Sequence, residues 1–76
     1  MAWSRSFADP ILLKDGRVLA TLSDAGALIL AQPERSQSRL HWQYAGELLW
    51  EAAERDGDLT DAWAQMRRAL VAEGMI

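Results

Sequence analysis

The stretch Ile11-Leu12-Leu13-Lys14-Asp15-Gly16-Arg17-Val18-Leu19-Ala20-Thr21-Leu22-Ser23-Asp24-Ala25 decides the fold. Two short apolar runs flank Asp15-Gly16, a pair that reaches positive φ at little cost, so the spacing predicts a β-hairpin. A two-residue loop would set Lys14 opposite Arg17 and Leu13 opposite Val18. Asp9-Pro10 just ahead favours extended backbone, because proline disfavours the helical region for the residue before it. Past Ala20 the pattern changes period. Thr21 with Asp24 three residues later is a variant capping box. Leu22, Ala25, Leu28, Ile29 and Gln32 then share one helical face. An isolated hairpin is marginal in water, so this one has to lie against helices.

Working outward, residues 1–9 read as an irregular lead-in whose Trp3 and Phe7 tuck onto the body. Pro33 ends the first helix, and residues 33–39 read as a polar loop in which Ser36 or Ser38 caps the next helix. That second helix is expected from about Arg39 to Asp56, with Gly57 as its left-handed C-cap. Its core face is Trp42, Ala45, Leu48, Leu49 and Ala52, with His41 at the margin. Asp58-Leu59-Thr60-Asp61 repeats the cap-x-x-acid pattern, so a third helix starts near Leu59. Its face is Leu59, Ala62, Trp63, Met66, Ala69 and Leu70, and Gly74 closes it. The expected fold is therefore α+β and helix-dominated: an N-terminal β-hairpin packed on a three-helix core, in a single small domain over 1–76.

Composition bounds the function. The chain has 76 residues, half of them hydrophobic (50%) and a quarter charged (25%), enough apolar surface to offset chain entropy. A formal net charge of -3 and a pI of about 4.9 disfavour a basic nucleic-acid binder or a binder of anionic membranes. No cysteine is present, which removes disulfides, thiolate zinc sites and cysteine nucleophiles. No apolar run approaches the roughly 20 residues that span a bilayer, and the first residues show no signal-peptide pattern. The expectation is a cytoplasmic protein with no membrane association.

The motifs that could carry chemistry each have a plainer explanation. His41 has no Ser or Asp at triad-like spacing, and as the sole histidine it cannot build a His-rich metal site. Asp56, Asp58 and Thr60 fall at the first three ligand positions of a calcium loop. The sixth position, however, is Asp61 where glycine is needed, and the twelfth is Arg67 where a bidentate glutamate is needed. Glu47, Glu51, Glu54, Asp56, Asp58 and Asp61 face only Arg55, and they read as a solvated helix face or a docking surface for a basic partner. The second and third helices invite a helix-turn-helix reading, yet the residues that would meet phosphates are Asp58, Thr60 and Asp61. The glycines form no phosphate-binding pattern. No catalytic, metal or cofactor-binding residue is assigned.

There remains an apolar surplus. Leu30, Trp50 and Val71 each fall off the main face of their helix. They are covered either by the hairpin and lead-in or by a partner, and aromatics are favoured at such contacts. The expected function is thus a non-enzymatic protein–protein interaction module, self-associating or not, with Leu30, Trp50 and Val71 as its partner-binding residues. The alternative is a nucleic-acid-associated regulator using the last two helices.

Trp3-Ser4-Arg5, Phe7-Ala8-Asp9-Pro10-Ile11 and Asp15 through Ala25 resemble a set of short hypothetical proteins of rhizobia and related alphaproteobacteria. Trp42-Gln43-Tyr44-Ala45 and Arg68-Ala69-Leu70 are similar too. The match is tight over residues 3–25, while the third helix and the region around Pro33 depart from it. The resemblance implies a bacterial cytosolic origin and an intact domain, and brings no catalytic residue with it.

Overall fold

In the computed structural model, which describes residues 2–76, strand β1 (Ser6–Leu12) pairs antiparallel with β2 (Val18–Thr21). Helices α1 (Leu22–Leu30), α2 (Glu34–Gln37), α3 (Leu40–Glu54) and α4 (Leu59–Ala72) come after them. The hairpin-on-helices α+β fold is as the sequence requires. Of the expected lead-in, Met1 lies outside the described residues, and Ser6 onward is already strand.

The hairpin loop differs by one residue from the expectation. Leu12 pairs with Val18, and the Leu13 amide donates to the Arg17 carbonyl at 2.9 Å. Leu13 therefore faces Arg17 rather than Val18, across a three-residue loop with Gly16 at φ +92°. A type I turn followed by a left-handed glycine matches the twist of the strands as well as a two-residue loop does. The shift decides which side chains are covered, since a one-residue slip turns a strand over. Ile11, Leu13 and Leu19 go into the core, while Leu12 and Val18 face out.

β1 also bulges. Ser6 pairs with Thr21 and Ile11 with Leu19, so Phe7 through Pro10 span a stretch where β2 offers only Ala20. Pro10 has no N–H to give to a ladder, and such a residue is tolerated in a strand where pairing is broken. Phe7 turns from this bulge into the core.

Thr21 forms the full capping box with Asp24 at the start of α1. Pro33 does not begin a loop but α2, a single turn that buries no side chain. The core therefore still rests on α1, α3 and α4. Neither Ser36 nor Ser38 caps α3. Its N-cap is Arg39, without a side-chain hydrogen bond. At the other end of α3 the left-handed residue is Asp56, φ +55°, and not Gly57. Asp tolerates this region better than most side chains. Gly57 is needed for another reason: its amide donates to the Glu51 carbonyl at 2.9 Å, and an added Cβ would sit 3.1 Å from the Glu51 carbonyl carbon.

The lead-in stitches elements together. Arg5 Nη1 donates to the carbonyls of Ala52, at 2.9 Å, and Gly57, at 3.2 Å, and lies 3.5 Å from Asp56. A guanidinium at a helix C-terminus satisfies free carbonyls and meets the negative end of the dipole. Trp3 lies over Gly26, its ring 3.4 Å from where a Cβ would stand. The chain end is tied too. Gly74, φ +71°, closes α4 in a Schellman motif, with the Met75 amide on Leu70 and the Gly74 amide on Val71. The Met75 carbonyl then accepts from Lys14 in the hairpin loop at 2.9 Å. Trp42, Leu22, Leu49, Met66 and Leu70 are the largest fully buried side chains.

Candidate interaction surface

Residues four apart on a helix stack along one side. On α4 this rule aligns Trp63, Arg67 and Val71. The Arg67 guanidinium lies 5.4 Å from the Trp63 ring centroid, a cation–π contact. The indole is held from the other side, where Nε1–H donates to the Asp9 carbonyl at 2.7 Å. That carbonyl belongs to the bulged part of β1, which has no strand partner to use it. The bulge, the proline and the tryptophan thus form one local arrangement. It fixes a large aromatic ring at the junction of helix and hairpin.

Trp63 consequently borders three adjoining grooves. One runs along α4 past Arg67, Arg68 and Val71. The second lies between α4 and β1, against Pro10, Leu12 and Ile76. The third is closed by Ala8, Leu59 and Thr60. A half-buried, rigidly held tryptophan beside arginines and exposed aliphatics has the composition of an interface centre.

The opposite sign of charge collects on the neighbouring helix. α3 and α4 run antiparallel through a short turn, and the outer side of α3 carries Glu47, Glu51 and Glu54 with Tyr44 and Trp50. Arg55 lies over one face of the exposed Trp50 ring, its guanidinium 5.1 Å from the centroid. Glu54 accepts from the Trp3 indole at 3.0 Å.

His41 takes a structural place. Its Nε2 lies 2.9 Å from Glu73 Oε2, and Arg39 Nη1 reaches the same oxygen at 2.8 Å. Glu73 is only 14% exposed. The trio joins the start of α3 to the end of α4 and so closes the open end of the helical hairpin. Of the residues at calcium-loop spacing, Asp58 is committed to the backbone and Asp56 lies exposed beside Arg5. Asp58 caps α4 by accepting from the amides of Thr60 and Asp61 at 2.8 and 3.3 Å. Among the described residues, no group of three or more acidic, histidine or cysteine side chains is placed to hold a metal ion. No helix among them is long and apolar enough to cross a membrane.

The three residues singled out from the sequence are all exposed: Leu30 at 76%, Trp50 at 45% and Val71 at 59%. They stand on α1, α3 and α4. Val71 lines the groove beside Trp63, while Leu30 and Trp50 line none of the three Trp63 grooves. Sequence reasoning assigned Trp63 to the core and missed Arg67, Leu12 and Ile76 as its neighbours. The spacing of Trp63, Arg67 and Val71 was the available signal for the helical part. Nothing local indicated that β1 would meet it.

No protein-family model, curated protein or solved structure matches this chain. The surface itself is the guide to function.

Proposed function

We propose that this chain is a non-enzymatic protein–protein interaction module that docks its partner on the Trp63–Arg67–Val71 stripe of α4. The observation that carries this reading is the fixed Trp63 ring. It is stacked by Arg67 and hydrogen-bonded to Asp9, and it borders three adjoining grooves. A pre-positioned aromatic loses little conformational freedom on binding, which is where tight contacts gain over loose ones. The nucleic-acid alternative has only Arg67, Arg68 and the order of the last two long helices in its favour. The α4 N-terminus that would approach phosphates is already capped by the Asp58 carboxylate, with Asp61 beside it.

Site-specific photo-crosslinking tests the reading. A benzophenone side chain at position 68 should give a discrete crosslinked species in cells that express the chain natively. The same group at Glu34, on the exposed turn of α2, should not. Val71→Glu, a change at an exposed position, should abolish the species from position 68. Identical products from both positions, or none from position 68, would remove α4 as the docking face.

A further inference from the structure

Resting on that docking reading, we infer that the partner is a second copy of this chain, whose acidic α3 face lies on the basic stripe of α4. The argument is charge and shape complementarity held within one sequence. α4 presents two cations, Arg67 and Arg68, next to exposed Val71. α3 presents Glu47, Glu51 and Glu54, next to exposed Tyr44 and Trp50. Each face thus pairs exposed apolar side chains with charges mainly of one sign, and the prevailing signs are opposite, although Arg55 lies over Trp50 beside the acidic face and Asp61 lies on α4 two turns before Arg68.

The helices carrying these faces are adjacent and antiparallel. The four-residue turn 55–58 joins them at one end, and the Arg39, His41 and Glu73 cluster joins them at the other. A two-fold axis beside such a hairpin brings α3 of each copy onto α4 of the other, so the complementary contact occurs twice. The product is a four-helix arrangement, a common way for two helical hairpins to cover their outer sides. A standard contact covers about 800 Å² on each partner. That is roughly a sixth of the 4715 Å² that this chain exposes alone. Like-charged faces repel across the same axis, so this pairing also excludes α4-on-α4 and α3-on-α3 contacts.

The test is a charge exchange read by light scattering behind a sizing column. The native chain should elute at twice 8.5 kDa and dissociate on dilution. Arg67→Glu with Arg68→Glu sets acid against acid, and Glu47→Lys with Glu51→Lys sets base against base. Each double variant should dimerise at least about tenfold more weakly while keeping native helicity by circular dichroism. Mixed in equal amounts, the two should form a heterodimer, because one of its contacts joins the two native faces and the other joins the two exchanged ones. Joining all four changes in one chain should restore the homodimer.

A native chain that stays monomeric at every concentration overturns the self-association. So does a mixture that fails to recover the dimer. The photo-crosslink at position 68 then separates the two readings. A product of twice the chain mass supports a second copy. A product containing another protein overturns the second copy and leaves the α4 docking face standing. No product overturns both.

Discussion

The indole N–H of Trp63 donates to the carbonyl of Asp9 at 2.7 Å, across 54 positions of the chain. This bond joins α4 to the bulged part of β1, where the pairing with β2 is interrupted. It satisfies a carbonyl that the bulge leaves without a ladder partner. It also holds the ring in the orientation from which it borders three grooves.

Trp63→Phe keeps an aromatic ring but removes the donor. The variant should lose about 1 kcal/mol of stability, the usual net contribution of one hydrogen bond, with some further loss from the smaller ring. Urea denaturation checks it. A midpoint equal to that of the native chain would mean that the bond is replaced by water without cost.

Two glycines should respond to alanine in opposite directions. At Gly57 the added Cβ would stand 3.1 Å from the Glu51 carbonyl carbon, and backbone there cannot easily give way. Gly57→Ala should cost about 1–3 kcal/mol, as overpacking does. At Gly46, inside α3, an added Cβ meets nothing within 4 Å. Gly46→Ala should stabilise by about 0.5–1 kcal/mol, because alanine loses less backbone freedom on entering a helix. The pair of denaturation curves decides it, and a reversed order would contradict the local geometry.

Asp15 titrates below its ordinary value of 3.8, because the Arg17 backbone amide donates to its carboxylate and the Arg17 side chain adds a second bond. A carboxyl whose folded pKa is depressed contributes stability above its unfolded value and loses it as pH falls through the folded value. The hairpin loop should thus hold its geometry at neutral pH and weaken only in acid below 3.8. The chemical shift of the Asp15 side-chain carbon, tracked against pH, reads the value directly. In Arg17→Ala the backbone bond survives, so the titration should stay depressed, though by less. A native midpoint at or above 3.8 would show that the turn leaves the carboxylate free.

The local signals in the sequence carried far. Thr21 and Asp24 specify the start of α1 through a reciprocal cap that needs no other part of the chain, and both bonds are present. Asp58 starts α4 with a one-way cap, its carboxylate accepting from the amides of Thr60 and Asp61. The side chains at helical spacing on α3 and α4 fall largely on the buried faces, since a 3.6-residue period is itself a statement about which side is dry. The hairpin was legible from Asp15-Gly16, but its loop length was not, because two-residue and three-residue loops both accept a left-handed glycine there.

What the sequence by itself determined is the hairpin and the three long helices in order, the N-caps of α1 and α4 and the covered faces, because each rests on residues within a few positions of one another. The tertiary structure alone decided the surface. Trp63 looks like core from its helix and becomes the centre of the proposed docking face only because β1 bulges beside it and offers the Asp9 carbonyl. Leu30, Trp50 and Val71 look alike as off-face apolar residues, yet only Val71 shares a groove with that ring. Helical spacing says which way a side chain points from its own axis. Which neighbours it meets there depends on contacts between segments far apart in the chain, and those are fixed only when the whole core closes.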